Sequence, residues 1–114
     1  MLMDIEILGT ERFDEFTVNK IKNKMIPVKQ KYERIFGAKT LEEFKIDINT
    51  KPKGKGKDLH EVIGIMKTTN GLLRASKDGW EILNVIDEIK TDLTRQMIEL
   101  KEKIKAKRTY PANA

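Results

Sequence analysis

Lysine carries most of the chemistry this chain can offer. Lys53, Lys55 and Lys57 alternate with glycine in the run Lys51-Pro52-Lys53-Gly54-Lys55-Gly56-Lys57, and Lys101, Lys103, Lys105, Lys107 and Arg108 crowd the C-terminal end against a single Glu102. Ammonium and guanidinium groups at this density suit contact with phosphates, which position a polyanion without reading its bases. Catalytic groups are sparse by comparison. His60 is the one histidine and Ser76 the one serine, no carboxylate pair stands out from the general surface charge, and an isolated strand histidine is more often a packing or solvated residue than a base. The chain has no cysteine, which removes thiolate chemistry, disulfides and Cys-based zinc sites. The Gly-Lys-Gly-Lys run lacks both the strand-to-helix setting and the terminal Lys-Ser/Thr pair of a phosphate-binding P-loop. These residues predict a binding protein and not an enzyme, with no metal, no cofactor and no small-molecule substrate.

The basic residues are unevenly placed. Residues 1–50 carry nine charges of each sign, residues 51–77 seven basic and two acidic, residues 78–100 two basic and six acidic, and residues 101–114 five basic and one acidic. Focused positive charge is the footprint of a polyanion partner. Two plainer readings compete: an acidic start and basic end also suit the macrodipole of a helix, and lysine-rich surfaces keep small proteins soluble. At 114 residues with 39% apolar content, one core is affordable, and a single domain over residues 1–108 with a short flexible tail at 109–114 is expected. No apolar run approaches a membrane span and no signal-peptide pattern opens the chain, so a cytoplasmic protein is expected.

The elements that must position these lysines follow from periodicity. Met3, Ile5 and Ile7 alternate with Asp4 and Glu6, a short strand ended by Gly9. Asp14 is a candidate N-cap, with Phe13 and Val18 spaced as a hydrophobic staple, so a helix should begin near Glu15. Its apolar face is Ile21, Met25, Val28, Tyr32 and Ile35, and it should end before Gly37. At 100° per residue Lys20, Lys24, Lys31 and Arg34 align beside that face as a basic stripe, with Pro27 on the exposed side where a kink is most easily accommodated. Phe44, Ile46 and Ile48 alternate with polar residues in a second strand. The Lys51–Lys57 segment should be a mobile loop, followed by a strand near Leu59 to Thr68, an Asn70-Gly71 turn and a strand near Leu72 to Ser76.

A long helix should then run from about Trp80 to Lys107, with Ile82, Ile86, Ile89, Leu93, Met97, Leu100 and Ile104 on one face. Trp80 could stack on a base but reads better as a core anchor beside Leu83, and Arg74 should point to the wetter sheet face. The order strand, helix, three strands, helix predicts an α+β two-layer sandwich, a four-stranded sheet with both helices on one face.

The stretch Thr69-Asn70-Gly71-Leu72-Leu73-Arg74-Ala75-Ser76, followed by Val85-Ile86-Asp87, then Leu93-Thr94-Arg95-Gln96-Met97 and the lysines beyond, resembles the ribosome hibernation-promoting factor and protein Y family in its short form. The family pattern is an Asn-Gly hairpin ending in Ala-Ser, an Ala-Ile-Asp or Ala-Ile-Asn step, an Arg-Gln-Leu step and a Lys-rich end, and the resemblance covers roughly residues 3–107. It implies a β-α-β-β-β-α fold, binding to the small ribosomal subunit through ribosomal RNA, occlusion of the mRNA and tRNA channel, and a part in translation regulation and stress response. Carried over by position, Arg95 matches the Arg of Arg-Gln-Leu and Lys101, Lys103 and Lys105 match the Lys-rich end, with Lys24 and Lys31 as first-helix contacts. The full expected RNA-binding set adds Lys20, Arg34, Lys90 and Arg108, with Lys53, Lys55 and Lys57 as further loop contacts. Glu81-Ile82-Leu83 replaces the Asp-Met-Tyr that usually opens the last helix, Asp92 stands where bacterial members often carry Lys, and Pro27 interrupts a normally regular helix. A monomer or weak dimer is expected, without the extra domain by which long members pair ribosomes.

Two other readings stay open. A general double-stranded RNA binder would share the α-β-β-β-α core, although Asp78, Glu81 and Asp87 make the start of the last helix acidic. A protein-interaction module would use the exposed sheet face and bind with little response to salt.

Overall fold

In the computed structural model the described residues are 5–109, with side-chain surroundings described for 5–106. The elements are β1 (Glu6–Leu8), α1 (Glu15–Phe36), a short 3-10 turn (Ala38–Thr40), β2 (Leu41–Pro52), β3 (Asp58–Thr68), β4 (Gly71–Gly79) and α2 (Ile82–Thr109). The four strands form one sheet in the order β1-β2-β3-β4, with β1 parallel to β2 and the other neighbours antiparallel. The expected α+β fold and its element order hold. Met3 and Asp4 of the expected first strand and the 110–114 part of the expected tail lie outside the described residues.

Local signals place α1 where they should. The Asp14 carboxylate accepts from the Thr17 backbone N–H at 2.8 Å, which satisfies one orphan donor of the first turn. Hydrogen bonding by Thr17, from its side chain first and its backbone N–H second, holds the Asp14 carboxyl below its ordinary value. The helix runs continuously through Pro27, which is exposed, and ends at Gly37, whose N–H donates to the Glu33 carbonyl. Ile21, Met25, Val28 and Tyr32 are buried as the spacing requires, while Ile35 is half-buried.

Both helices cover the sheet face made by Phe44, Ile46, Ile48, Val62, Met66 and Ala75. Ile86, Ile89, Leu93 and Met97 of α2 close the core with no exposed surface on any of the four. Close contact sets two glycines. A Cβ on Gly9 would lie 1.8 Å from the Ile48 carbonyl oxygen, so the chain can leave β1 against β2 only without a side chain. Gly71 has φ +132°, a value L side chains rarely adopt.

Gly71 also corrects the expected turn. Thr68 pairs with Gly71 across the β3–β4 ladder, so the two loop residues are Thr69 and Asn70, not Asn70 and Gly71. The Thr68 hydroxyl organises it, accepting from the Asn70 N–H at 3.0 Å and donating to the Gly71 carbonyl at 2.7 Å. Strand pairing also extends further than expected, β4 reaching Gly79 and β2 reaching Pro52. The expected mobile loop therefore shrinks to a hairpin tip at Lys53–Lys57, closed by Lys53 N–H to the Lys57 carbonyl at 2.8 Å and Lys57 N–H to the Gly54 carbonyl at 3.0 Å. Lys51 lies in β2 and pairs with Glu61 at 3.2 Å.

The other correction is Trp80. It is 56% exposed, because α2 begins two residues later and sends Ile82 and Leu83, not Trp80, against the core.

Candidate nucleic-acid interface

Helix direction decides which lysines meet. Lys24 Nζ lies 2.9 Å from the Asp87 carboxylate, ten residues before Arg34 and well before the end of α2. Further along, Arg34, Ile35 and Phe36 of α1 share a groove with Lys101, Ile104 and Lys105 of α2. The two helices therefore run parallel, and their C-terminal ends lie side by side over the edge where β3 turns into β4. The groove has a volume of about 800 Å³, a floor of Ile35, Phe36 and Ile104, and Thr40 and Asn70 at its margin. Its rim carries Arg34, Lys101 and Lys105; Lys103 is exposed on the same turn of α2 but points away from the groove, about 160° round the helix from Lys101 and Lys105.

A helix C-terminus attracts cations for its own sake, so magnitude has to separate the dipole from a ligand. Two C-terminal ends present about half a negative elementary charge each, about one in total. Arg34, Lys101, Lys103 and Lys105 bring four positive charges against Glu102, since Glu33 is already paired with Lys29 at 2.8 Å. With Lys31 and Lys39, which lie at the same end, the surplus is about four charges after the dipoles are met. The first turn of α2 carries no acidic residue, but Glu81 stands at its cap, its carbonyl accepting from the Val85 N–H at 3.1 Å, while Asp87 and Glu88 fall a turn later, where the dipole acts weakly. The dipole accounts for Glu81 and for little of the remaining acidity.

The other predicted contacts are scattered. Lys31, half-buried, lies one turn before Arg34 and belongs to the same end. Lys20 is at the opposite end of α1, its Nζ 4.7 Å from the Phe16 ring centre, a cation–π contact. Lys24 is held by Asp87. Lys90 is half-buried, eleven residues before Lys101, about 17 Å along the helix. Arg95 bonds Glu99 at 2.9 Å and also the Asp92 carboxylate, and those two bonds, Asp92 first, hold its guanidinium above its ordinary value. Burial alone would raise Asp92, but hydrogen bonds from Arg95 and Gln96 and the charges of Arg95 and Lys77 outweigh it and hold the carboxyl low. The side chain of Arg108 lies beyond the described ones.

Lys53, Lys55 and Lys57 are exposed at the far end of the molecule. β2 leaves the α1 C-terminus and travels twelve residues to reach them, about 40 Å. The structure brings together the two helix ends and leaves the hairpin tip apart. His60, expected as a packing or solvated residue, is buried, its Nδ1 3.1 Å from Thr50 Oγ1 and its ring against Phe13.

Two cations went unnoticed in the sequence. Lys39 is exposed in the short turn joining α1 to β2, beside Thr40 of the groove. Lys77 lies on the helix side of β4, opposite Val62 in register, and shares an open recess with Asp87, Glu88 and Asp92. Strand parity would have found Lys77; Lys39 needed the position of its connection.

Gln96 has a structural part. Its side-chain oxygen accepts from the Arg74 N–H at 3.1 Å and its amide donates to the Arg74 carbonyl at 2.8 Å. Since β4 is an edge strand, Gln96 occupies two backbone groups that an added strand would use.

Among the described residues no group of His, Cys, Asp or Glu is arranged to hold a metal ion, and no helix is long and apolar enough to cross a membrane. The chain matches no protein-family model and no curated protein. Among solved structures, the N-terminal domain of protein Y from Thermus thermophilus is similar with a TM-score of 0.45 at 14% identity, covering 90% of this chain and 98% of that one.

Proposed function

We propose that this protein is a ribosome hibernation factor that binds the small ribosomal subunit through ribosomal RNA and blocks the mRNA and tRNA channel, silencing translation in the cytoplasm. The observation that supports it most is the convergence of two basic helix ends, Arg34 with Lys101 and Lys105, around one groove. Structured RNA is gripped by shape and phosphate, which such a groove suits. The identity of the target rests on the sequence resemblance around Asn70-Gly71, Ala75-Ser76, Arg95-Gln96 and the terminal lysines. Arg34, Lys101, Lys103 and Lys105 form the contact set, with Lys31 and Lys39 beside them. Arg95 contributes only if RNA displaces Asp92 or Glu99.

Co-sedimentation with small subunits, with excess duplex RNA as competitor, tests this. Binding near one copy per subunit that resists the competitor is expected. Four phosphate contacts predict a log-log salt slope of about −3. Replacing Lys101, Lys103 and Lys105 together by Glu should abolish binding with a folded protein and only a modest fall in melting temperature, since all three are exposed and what they give the fold is chiefly their attraction to the helix C-terminus. Binding that survives the triple change would refute the helix-end site, and loss to duplex RNA would indicate a general RNA binder.

A further inference from the structure

The strand register places the residues of the uncovered sheet face in levels. One level holds Glu6, Lys45, Ile65 and Arg74 from β1 to β4, and the next holds Leu8, Asp47, Ile63 and Ser76. Outside the first lies Glu43-Lys67-Leu72, and outside the second Asn49-Glu61-Asp78. This face carries four cations, Lys51 among them, against five carboxylates. A polyanion has no reason to settle here. Yet Ile63 and Ile65 are half-buried and Leu72 is 59% exposed, an apolar strip without a cover.

We propose that this face binds a second copy of the chain, sheet to sheet, about a twofold axis lying in the interface and running across the strands between the Ile63 and Ile65 levels. A rotation about that axis sets each strand over its own copy with its direction reversed and exchanges the two central levels. Lys45 then faces Asp47 of the other copy, and Ile65 faces Ile63. The outer levels exchange likewise, so Lys67 faces Glu61. No two like charges fall opposite each other; Glu6 over Leu8 and Asp78 over Leu72 fall on the edge strands, away from the central isoleucines.

Neighbouring placements fail. Moving the axis onto the first level stacks Lys45 on Lys45 and Arg74 on Arg74. Moving it onto the second stacks Asp47 on Asp47, and an axis along the strands between β2 and β3 sets Lys45 and Asp47 on the isoleucines. Charge pattern therefore fixes the register while Ile63 and Ile65 supply burial. Packed sheets cross at about −30°, which keeps the two central levels in step near the axis and draws the levels toward the strand ends apart.

Pairing by an edge is less available. β1 has three residues, and Gln96 blocks β4 at Arg74. The face measures at most about 19 by 34 Å, or about 650 Å² per partner, somewhat under the roughly 800 Å² of a standard interface. The dimer is weak and dissociates on dilution, and its two helix layers point outward.

Sedimentation equilibrium from about 10 μM to about 1 mM, a range spanning weak association, reads the outcome. The wild-type chain should show a monomer–dimer equilibrium, weakened by salt. Lys45→Asp sets one carboxylate against Asp47 of the other copy in each half and should raise the dissociation constant on the order of tenfold or more. The exchange Lys45→Asp with Asp47→Lys restores opposite charges and should restore association. Both residues face solvent, and thermal melts confirm that each variant is folded. A wild-type chain that stays monomeric throughout, a single variant that associates as the wild type does, or an exchange that fails to rescue would each overturn the proposal. Subunit binding is measured separately, so its failure and this one are distinguishable.

Discussion

Gln96 offers a test of how the edge of this sheet is finished. Its side-chain amide is the one group that bonds both the N–H and the carbonyl of Arg74, at 3.1 and 2.8 Å, from 22 residues away. Each bond contributes about 0.5–1.5 kcal/mol net, and exposure favours the lower half, so Gln96→Ala should cost about 1–2 kcal/mol. For a domain near 100 residues each kcal/mol moves Tm by about 4–8 °C, giving a fall of about 4–16 °C. Amide exchange at Arg74 should accelerate in the same variant. Gln96→Glu sharpens the point. The carboxylate still accepts from Arg74 N–H, but it turns an oxygen toward the Arg74 carbonyl and toward Asp92, which Gln96 now approaches at 3.3 Å. At neutral pH it should be less stable than Gln96→Ala, and part of that gap should close as pH falls toward about 4.3, the ordinary Glu value, because a carboxyl destabilised in the folded state takes up its proton above that value and can donate again. Thermal melts across pH and exchange at Arg74 read both effects. An alanine variant that melts within about 1 °C of wild type with unchanged exchange, or a glutamate variant as stable as wild type, would refute the two-bond clamp.

Two further outcomes follow from buried and exposed rings. Burial holds His60 below its ordinary value, with Asp58 and Glu81 partly offsetting it. The unfolded chain then binds the proton more readily, so stability should fall as pH drops below about 6.5 and level off beneath the folded-state value; His60→Gln should flatten that slope, measured by urea melts between pH 5 and 8. Trp80, being 56% exposed, should be quenched by iodide almost as well in the native protein as in denaturant. A protected native emission would return it to the core.

Much of the fold was legible because its signals are local. Asp14 caps by a bond three residues long, and the apolar stripes of α1 and α2 obey one period throughout. Misreadings arose where a neighbouring element decided the outcome. Asn70-Gly71 suggested the commonest hairpin turn, but the Thr68 hydroxyl bonds both Asn70 and Gly71, moving the loop back one residue. Trp80 fits the periodicity of α2 only if the helix already includes it, and the helix begins at Ile82. Charge follows the same division. The engagement of Arg95 by Asp92 and Glu99 was readable from spacings of three and four. The capture of Lys24 by Asp87, 63 residues away, needed the helices placed.

Strand direction carries the largest functional consequence. Sequence shows two lysine-rich segments and says nothing about their separation. Because β2 starts at the α1 C-terminus and ends at the hairpin tip, those segments occupy opposite ends of a body 63 Å long. The parallel course of α1 and α2 then adds Arg34 to Lys101 and Lys105 at one end only. A compact anionic target would meet one end or the other, not both. A single-ended grip of four cations gives a salt slope near −3, whereas adding Lys53, Lys55 and Lys57 would steepen it to about −5. The value of that slope distinguishes a ligand seated at the helix ends from one that spans the whole sheet.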